Sequence, residues 1–490
     1  MERGELAGSS EELRVVVENR RALVSRLPFL LVAILLGAAV VCTTIVRLTE
    51  RLPINPWEPA IAMEAMRLDA GLPVYESGHA THMYGPLLTV ALAGIFRGTG
   101  LNLLAARIVF SIFALGLAAF LATILCRGKS SWLPAFLLFL GISFRTNLVF
   151  LSAQPDCIAI LCAVAGLYLW VTREKSAWRF AFSLALFIGA MLFKQTSAAF
   201  ALIPVVHALL WRRNLSGVVT SLIPTTSILA ALAAIYFLAP QMFFAAVTVP
   251  AAIKVYPERA LITTVYLLST FPIFLVALLS ILRANIDARE RWILSALVVL
   301  IPVSIWTISK SGGSYNSLLP AYLAMTALFV VRLEAMANWL RSLSNSRMFS
   351  AASAIAVVIL LSFFIQFDRD IALLYAHHGD EKYGEAVAEV RRLGHGAISP
   401  QDPTIAWRAN KYFGRSLFFE LDAHAVNGNW PSELPKSMEQ ELARADYVVQ
   451  VNSYVPTPVF ERGLLNNRFH PMTVDTLRDS VYTLWTRKAE

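Results

Sequence analysis

Only four cysteines occur in 490 residues: Cys42, Cys126, Cys157 and Cys162. Each lies in or at the end of an apolar run, and none has zinc-site spacing to histidines, so neither a disulfide framework nor a structural metal is expected. Charge is scarce as well, with 15% charged against 57% hydrophobic residues. Strand-like alternation is missing from the apolar runs, which excludes a membrane β-barrel. No repeat of about 20 to 50 residues is visible, which disfavours a transporter assembled from inverted repeats. A one-sided basic face is absent too. The formal charge is +9, yet Arg and Lys fall in short clusters between apolar runs, a pattern that reports membrane topology rather than nucleic-acid binding.

What the chain does have is a succession of apolar runs of about 18 to 24 residues, the length that crosses a bilayer core. The expected fold is a polytopic α-helical membrane protein with about eleven spans, at 28–47, 101–126, 132–150, 154–172, 179–195, 197–211, 216–239, 262–283, 291–309, 317–333 and 350–367. Residues 1–27 read as a cytoplasmic arm before a retained signal anchor, with Arg20, Arg21 and Arg26 beside the first span. The connections then expected inside hold Arg127/Lys129, Arg173/Lys175/Arg179, Arg212/Arg213, Arg283/Arg289/Arg291 and Arg332/Arg341/Arg347, and those expected outside are poorer in basic residues. An odd count puts a polar tail, 368–490, on the outer face. Its "KYGEAVAEVRRL" reads as a helix and "ADYVVQV" and "SVYTLWT" as strands, hence a small extracytoplasmic α/β domain following the 28–367 membrane domain.

The longest outer connection, 48–100, concentrates polar residues. In "NPWE", Asn55 fits a helix N-cap, Pro56 the first helical position, and Glu58 a capping carboxylate. Glu58 and Asp69 are eleven residues apart, about 16 Å along a helix, so a carboxylate partner for Glu58 must come from elsewhere. Asp156, in "FLSAQPDCIAIL", starts the fourth span on the same side. It suits the helix dipole, but an ionisable group at membrane depth also marks a functional site. Lys194 and Gln195 occupy the turn between spans five and six, with Lys194 either snorkelling to the interface or held as a point charge that neutralises a lipid phosphate. "SKSGGSYN" offers Lys310, Tyr315, Asn316 and two glycines, either a plain turn or a phosphate or sugar seat. His79 and His82 are spaced for a metal pair only on a helix, and Gly78 and Gly85 argue for loop. Tyr84, Gly85 and Pro86 form a turn before an amphipathic segment, 87–97, laid along the surface. His377 and His378 read as ordinary surface residues.

Taken in order, "WEPAIAMEAMRLDAGLPVY", "MYGPLL", "NLLAARIVFSIF", "AQPD" and "LFKQTSAAF" resemble the GT-C membrane glycosyltransferases, in particular the bacterial branch related to protein O-mannosyltransferases and lipid A aminoarabinose transferases. The resemblance spans about residues 28–330 and extends to a soluble outer C-terminal domain. It implies a sugar moved from a polyprenyl-phosphate donor to a glycan, lipid or protein acceptor on the outer face of the inner or plasma membrane. Glu58 would be the general base, Asp156 would assist, and Lys194 would contact the donor phosphate, with Lys310 or Arg145 as further cations. Gln195, Tyr84, His79, His82, Tyr315 and Asn316 complete the expected substrate-binding set, and a divalent metal is an open expectation. Two positions depart from the family pattern: Trp57-Glu58 stands where Asp-Glu or a lone Asp is usual, and Tyr84-Gly85-Pro86-Leu87 where Lys-Pro-Pro-Leu is usual. The rival reading is a transporter or flippase of a lipid-linked or polar solute, which would bury its acids near the bilayer midplane instead of at the outer ends of spans.

Overall fold

The computed structural model describes residues 27–46, 48, 53, 55, 57–126, 129–146, 149–173, 176–212, 214–281, 285–364, 380–424, 433–452 and 457–488. The expected cytoplasmic arm apart from Leu27, and Pro56, Arg127, Lys175, Arg213, Arg283, His377 and His378, lie outside the described residues.

The chain is a polytopic helical membrane protein with a small sheet near its C-terminus. The helices that carry the argument are α1 (Leu27–Val46), α2 (Trp57–Asp69), α3 (Pro86–Thr99), α4 (Leu103–Leu125), α5 (Lys129–Gly141), α6 (Asp156–Val171), α7 (Ala177–Phe193), α8 (Leu215–Leu238), α9 (Pro257–Thr270), α10 (Pro272–Ile281), α11 (Ala288–Ile308) and α12 (Leu319–Arg341). Five stretches among the described residues are long and apolar enough to cross a bilayer: α1, α4, α8, α11 and Tyr315–Leu333. A sixth results if α9 and α10, bent by 74° between them, form one broken span.

The expected count of eleven is therefore not established. The helices α6 and α7 have 16 and 17 residues, about 24 to 26 Å at 1.5 Å per residue, short of a ~30 Å hydrocarbon core. They pack closely on each other instead. Ser183 Oγ donates to the Gly166 carbonyl at 2.8 Å, and a Cβ on Gly166 would come within 3.2 Å of the Ser183 carbonyl oxygen, the small-residue contact that lets membrane helices approach. The run expected as a sixth span, 197–211, changes character along its length: 3₁₀ over Gln195–Leu202, α over Ile203–His207 and π over Ala208–Arg212. Hydropathy alone carries no signal for that distinction.

The tail folds into a four-stranded sheet, β1 (Ala397–Ile398), β2 (Tyr447–Val451), β3 (Phe469–Met472) and β4 (Tyr482–Arg487), in the order β1-β2-β4-β3. Only the β1–β2 pair is parallel. Side chains alternate across the sheet. Val448 and Trp485 join Met438 and Leu442 of the Lys436–Arg444 helix in one core, while Val449, Val451 and Leu484 join Tyr383, Ala386 and Val390 of the Asp380–Leu393 helix in another. The domain sits on the first loop: Trp57, Ile61 and Phe96 share a core with Phe418 and Phe419.

Candidate functional site

Each acid of the 55–75 stretch is held by an arginine from a different part of the chain. Asn55 caps α2 as its sequence suggests, its Oδ1 accepting from the Trp57 and Glu58 amides at 3.0 Å each. The Glu58 carboxylate does not turn back to the cap. It is buried and meets the buried Arg107 of α4 side-on, with Arg107 Nε donating to Oε1 at 3.1 Å and Nη2 to Oε2 at 2.7 Å. The Ala153 amide adds a third bond to Oε1 at 3.0 Å. Farther along α2, Glu64 lies 3.2 Å from Arg415 of the tail domain. At the end of the helix, Asp69 pairs with Arg97 of α3 at 2.6 Å on the surface.

The Ala153 contact ties Glu58 to the stretch of chain that carries the second acid. Three residues on, Asp156 opens α6, buried, with Oδ1 accepting from Lys194 Nζ at 2.5 Å. Its other oxygen, Oδ2, is buried without a hydrogen-bond partner among the described residues. Lys194 reaches it because the chain leaves α7 in extended conformation there, with φ −148 and ψ 115, before the 3₁₀ segment begins. The pair faces a cavity of about 20 Å³ bordered by Ser197, Ser304, Thr307 and Asn316, room for about one water. Asn316 Nδ2 also approaches Gln154 Oε1 at 3.5 Å. Gln195 turns to the first loop and donates to the Met83 carbonyl at 3.0 Å.

The loop between α2 and α3 is packed rather than open. A Cβ on Gly85 would stand 1.9 Å from the Leu192 carbonyl oxygen of α7, so only glycine lets this turn approach. Tyr84 lies edge-on to His82 and Phe419, and its carbonyl accepts from Tyr75 Oη at 2.9 Å. His82 is buried against Tyr75, Tyr84 and Phe419, its Nε2 2.9 Å from Thr89 Oγ1. Burial pushes its imidazole down to about 3, so it is neutral at physiological pH. His79 Nδ1 faces Glu420 at 3.4 Å. The two histidines do not converge, and among the described residues no group of three or more His, Cys, Asp or Glu is placed to hold a metal ion. The two most central carboxylates already bind cationic side chains, an arrangement that does not fit an added divalent ion.

The remaining expected residues divide. Lys310 Nζ donates to the Pro250 carbonyl and lies 3.7 Å above the Trp306 ring, while Val255 and Lys310 form a backbone bridge. It clamps 249–256 to the 309–316 turn. Arg145 is fully buried, with Nη2 donating to Thr270 Oγ1 at 2.5 Å and approaching Tyr322 Oη at 3.3 Å. Tyr266 and Tyr322 place their rings 5.3 and 5.5 Å from its guanidinium carbon, and Tyr315 lies 6.0 Å from Tyr266, ring to ring. Thus Asp156, Lys194 and Asn316 share one cavity, Arg145 and Tyr315 border a neighbouring cluster, and Glu58 lies behind, joined to the first through the 153–156 strand of chain.

No protein-family model matches the sequence, and no curated protein sequence matches it. Solved structures do match in fold. The crystal structure of ArnT from Cupriavidus metallidurans bound to undecaprenyl phosphate aligns with 93% of this chain and 98% of its own, at TM-score 0.54 and 14% identity. The chain has the GT-C fold. The apo oligosaccharyltransferase of Archaeoglobus fulgidus aligns with 85% of this chain and 70% of its own, at TM-score 0.50 and 12% identity. Arg107, Gln154, Tyr266, Thr270, Tyr322 and Arg415, which sequence reading did not single out, bond to or pack against the candidate residues. Arg107 alone carried a signal, as an ionisable residue inside the apolar run of α4 whose partner was open to question.

Proposed function

We propose that this chain is an integral membrane glycosyltransferase that moves a sugar from a polyprenyl-phosphate donor to a glycan, lipid or protein acceptor on the outer face of the cell membrane. The N-terminus is then cytoplasmic and the 380–488 domain periplasmic or extracellular. The observation that carries the reading is the Asp156–Lys194 pair, its carboxylate buried and its lysine half-buried, with one carboxylate oxygen lacking a hydrogen-bond partner among the described residues beside a cavity bordered by Ser197, Thr307 and Asn316, in a fold that ArnT uses with undecaprenyl phosphate.

The chemistry follows from the charges. Asp156 Oδ2 accepts the proton of the acceptor hydroxyl or amine as that atom attacks the anomeric carbon. The bond from that carbon to the lipid phosphate breaks, the phosphate leaves with the electron pair, and configuration inverts. Lys194, beside the same carboxylate, stabilises the charge that develops on the leaving oxygen. Asn316 is placed to orient a sugar hydroxyl. We assign Glu58 a positioning role rather than that of the base. Three donors already engage its two oxygens, whereas Asp156 Oδ2 has no hydrogen-bond partner among the described residues and is placed to accept a proton. Glu58 fixes the backbone at Ala153 and so the aim of Asp156.

The test is transfer. Membranes carrying the chain are given radiolabelled sugars on polyprenyl phosphate, with the matching nucleotide sugars as controls. Label moved from a lipid-linked donor alone supports the reading; no transfer from any lipid-linked donor by folded protein overturns it.

A further inference from the structure

One hydroxyl beside the Asp156 cavity breaks the habit of its helix. Serine and threonine inside an apolar helix usually return their hydroxyl to a carbonyl one turn back. On α11 and at its end, Ser295 donates to the Arg291 carbonyl at 2.7 Å, Thr307 to that of Val303 at 2.7 Å and Ser309 to that of Ile305 at 2.6 Å. Ser304, on the same helix, does not. It is 1% exposed, and its Oγ has no hydrogen-bond partner among the described residues, a buried group that folding leaves uncompensated.

Ser304 and Thr307 border the cavity from α11, Asp156 from α6, Lys194 from the end of α7 and Asn316 from the 3₁₀ turn before α12. Two buried polar atoms without partners among the described residues, the Ser304 hydroxyl and Asp156 Oδ2, thus belong to residues around one space of about 20 Å³. Ile160, Phe200, Leu300 and Val303 line the same space. Apolar walls with a few placed polar groups are the form of a ligand subsite, and this one takes a single group the size of a water or a hydroxyl.

The reaction indicates which group that is. The anomeric carbon lies between the acceptor oxygen at Asp156 and the leaving oxygen at Lys194. A sugar substituent that reaches a space bordered by both side chains is therefore carried by the carbon next to the anomeric one. A 2-hydroxyl fits, and its hydrogen bonds strengthen as the bond to the leaving group loosens. An ammonium in the same place would meet Lys194, and an acetamido group is too large.

We propose that Ser304 and Asn316 seat the 2-hydroxyl of the transferred sugar, Ser304 Oγ donating to it and Asn316 Oδ1 accepting from it, so that the chain transfers sugars with a free 2-hydroxyl and rejects 2-acetamido sugars. This rests on the glycosyltransferase reading and deepens it by naming the class of sugar. Ser304 is then a specificity-determining residue, and Asp156 keeps its part in the proton transfer.

The experiment gives membranes carrying wild type or Ser304→Ala radiolabelled undecaprenyl-phosphate donors of glucose, mannose, 2-deoxyglucose and N-acetylglucosamine. Ser304→Ala breaks no hydrogen bond of that hydroxyl among the described residues, so it should melt no lower than wild type. Ratios between donors are read within one preparation, which cancels the amount of folded protein. The change in ratio between proteins decides, because loss of the 2-hydroxyl also alters the sugar's own reactivity. The seat predicts that the preference for a hexose over its 2-deoxy form falls about tenfold or more in Ser304→Ala, through slower transfer of the hydroxylated sugar. It also predicts that wild type transfers N-acetylglucosamine about a hundredfold or more slowly than the better hexose. A preference that Ser304→Ala leaves unchanged overturns the seat, as does N-acetylglucosamine transferred as fast as either hexose. Absence of transfer from every one of these donors by folded wild type sinks the reading beneath the seat instead.

Discussion

Arg107 of α4 grips both carboxylate oxygens of Glu58, at 3.1 and 2.7 Å, with neither side chain exposed. This pair, rather than a free carboxylate, stands at the start of α2. It joins the first loop to a membrane-spanning helix and, through the Ala153 amide, to the chain that carries Asp156.

Removing one partner of a buried pair strands the other charge and costs about 3 to 5 kcal/mol. Glu58→Gln, which keeps an acceptor for the Ala153 amide, is therefore expected to unfold at distinctly lower temperature in detergent. Adding Arg107→Met removes the stranded charge and should recover more than half of that loss. A double-mutant cycle of unfolding free energies checks this, and additive losses would show that the two side chains are not coupled.

Gly85 gives a steric prediction. A methyl group there meets the Leu192 carbonyl oxygen at 1.9 Å, a backbone atom that moves only if α7 moves. Gly85→Ala should cost about 1 to 3 kcal/mol and lower activity with it. Gly94→Ala, in α3 with nothing within 4 Å, should be neutral or stabilise by up to about 1 kcal/mol. Unfolding of the two variants side by side decides the matter; equal stability would mean the turn has room to relax.

The contact between the tail domain and the first loop should depend on pH. Burial pushes the Glu64 carboxyl up to about 7 against the pull of Arg415 and Arg67, and that of Glu441 up to about 8. In the unfolded chain both titrate near 4.5. Between these limits the folded state holds protons that the unfolded state has lost, so stability falls as pH rises from about 4.5 through about 7 to 8. Hydrogen exchange across 57–76 should be slower at pH 5.5 than at pH 8 after correction for intrinsic rates. Substituting Glu64→Gln should flatten the difference, and protection that rises with pH would contradict it.

The sequence exposes some of this and hides the rest for physical reasons. Asp156, Lys194 and Asn316 stand out because polar side chains at the ends of apolar runs are few and costly to place. The tail's strands announce themselves by short apolar runs, and Tyr447–Val451 and Tyr482–Arg487 fall where "ADYVVQV" and "SVYTLWT" put them. Partnerships across long separations leave no local trace. Arg107 lies 49 residues from Glu58, and Arg415 lies 351 from Glu64. That is why Glu58 reads as a lone candidate base from sequence and as half of a buried pair in the fold. Tyr266 and Tyr322 look like ordinary helix aromatics until the 74° bend brings the end of α9 to Arg145. Span counting suffers likewise, because hydropathy does not register that α6 and α7 are short and that 195–212 changes helix type.

The most direct measurement is the rate of sugar transfer from a polyprenyl-phosphate donor by Asp156→Asn and Glu58→Gln, each normalised to folded protein. With Asp156 as the base, Asp156→Asn loses about a hundredfold or more, while Glu58→Gln keeps its rate per folded molecule to within about tenfold. Full activity in Asp156→Asn, or a hundredfold loss confined to folded Glu58→Gln, would contradict the assignment and return the proton transfer to Glu58.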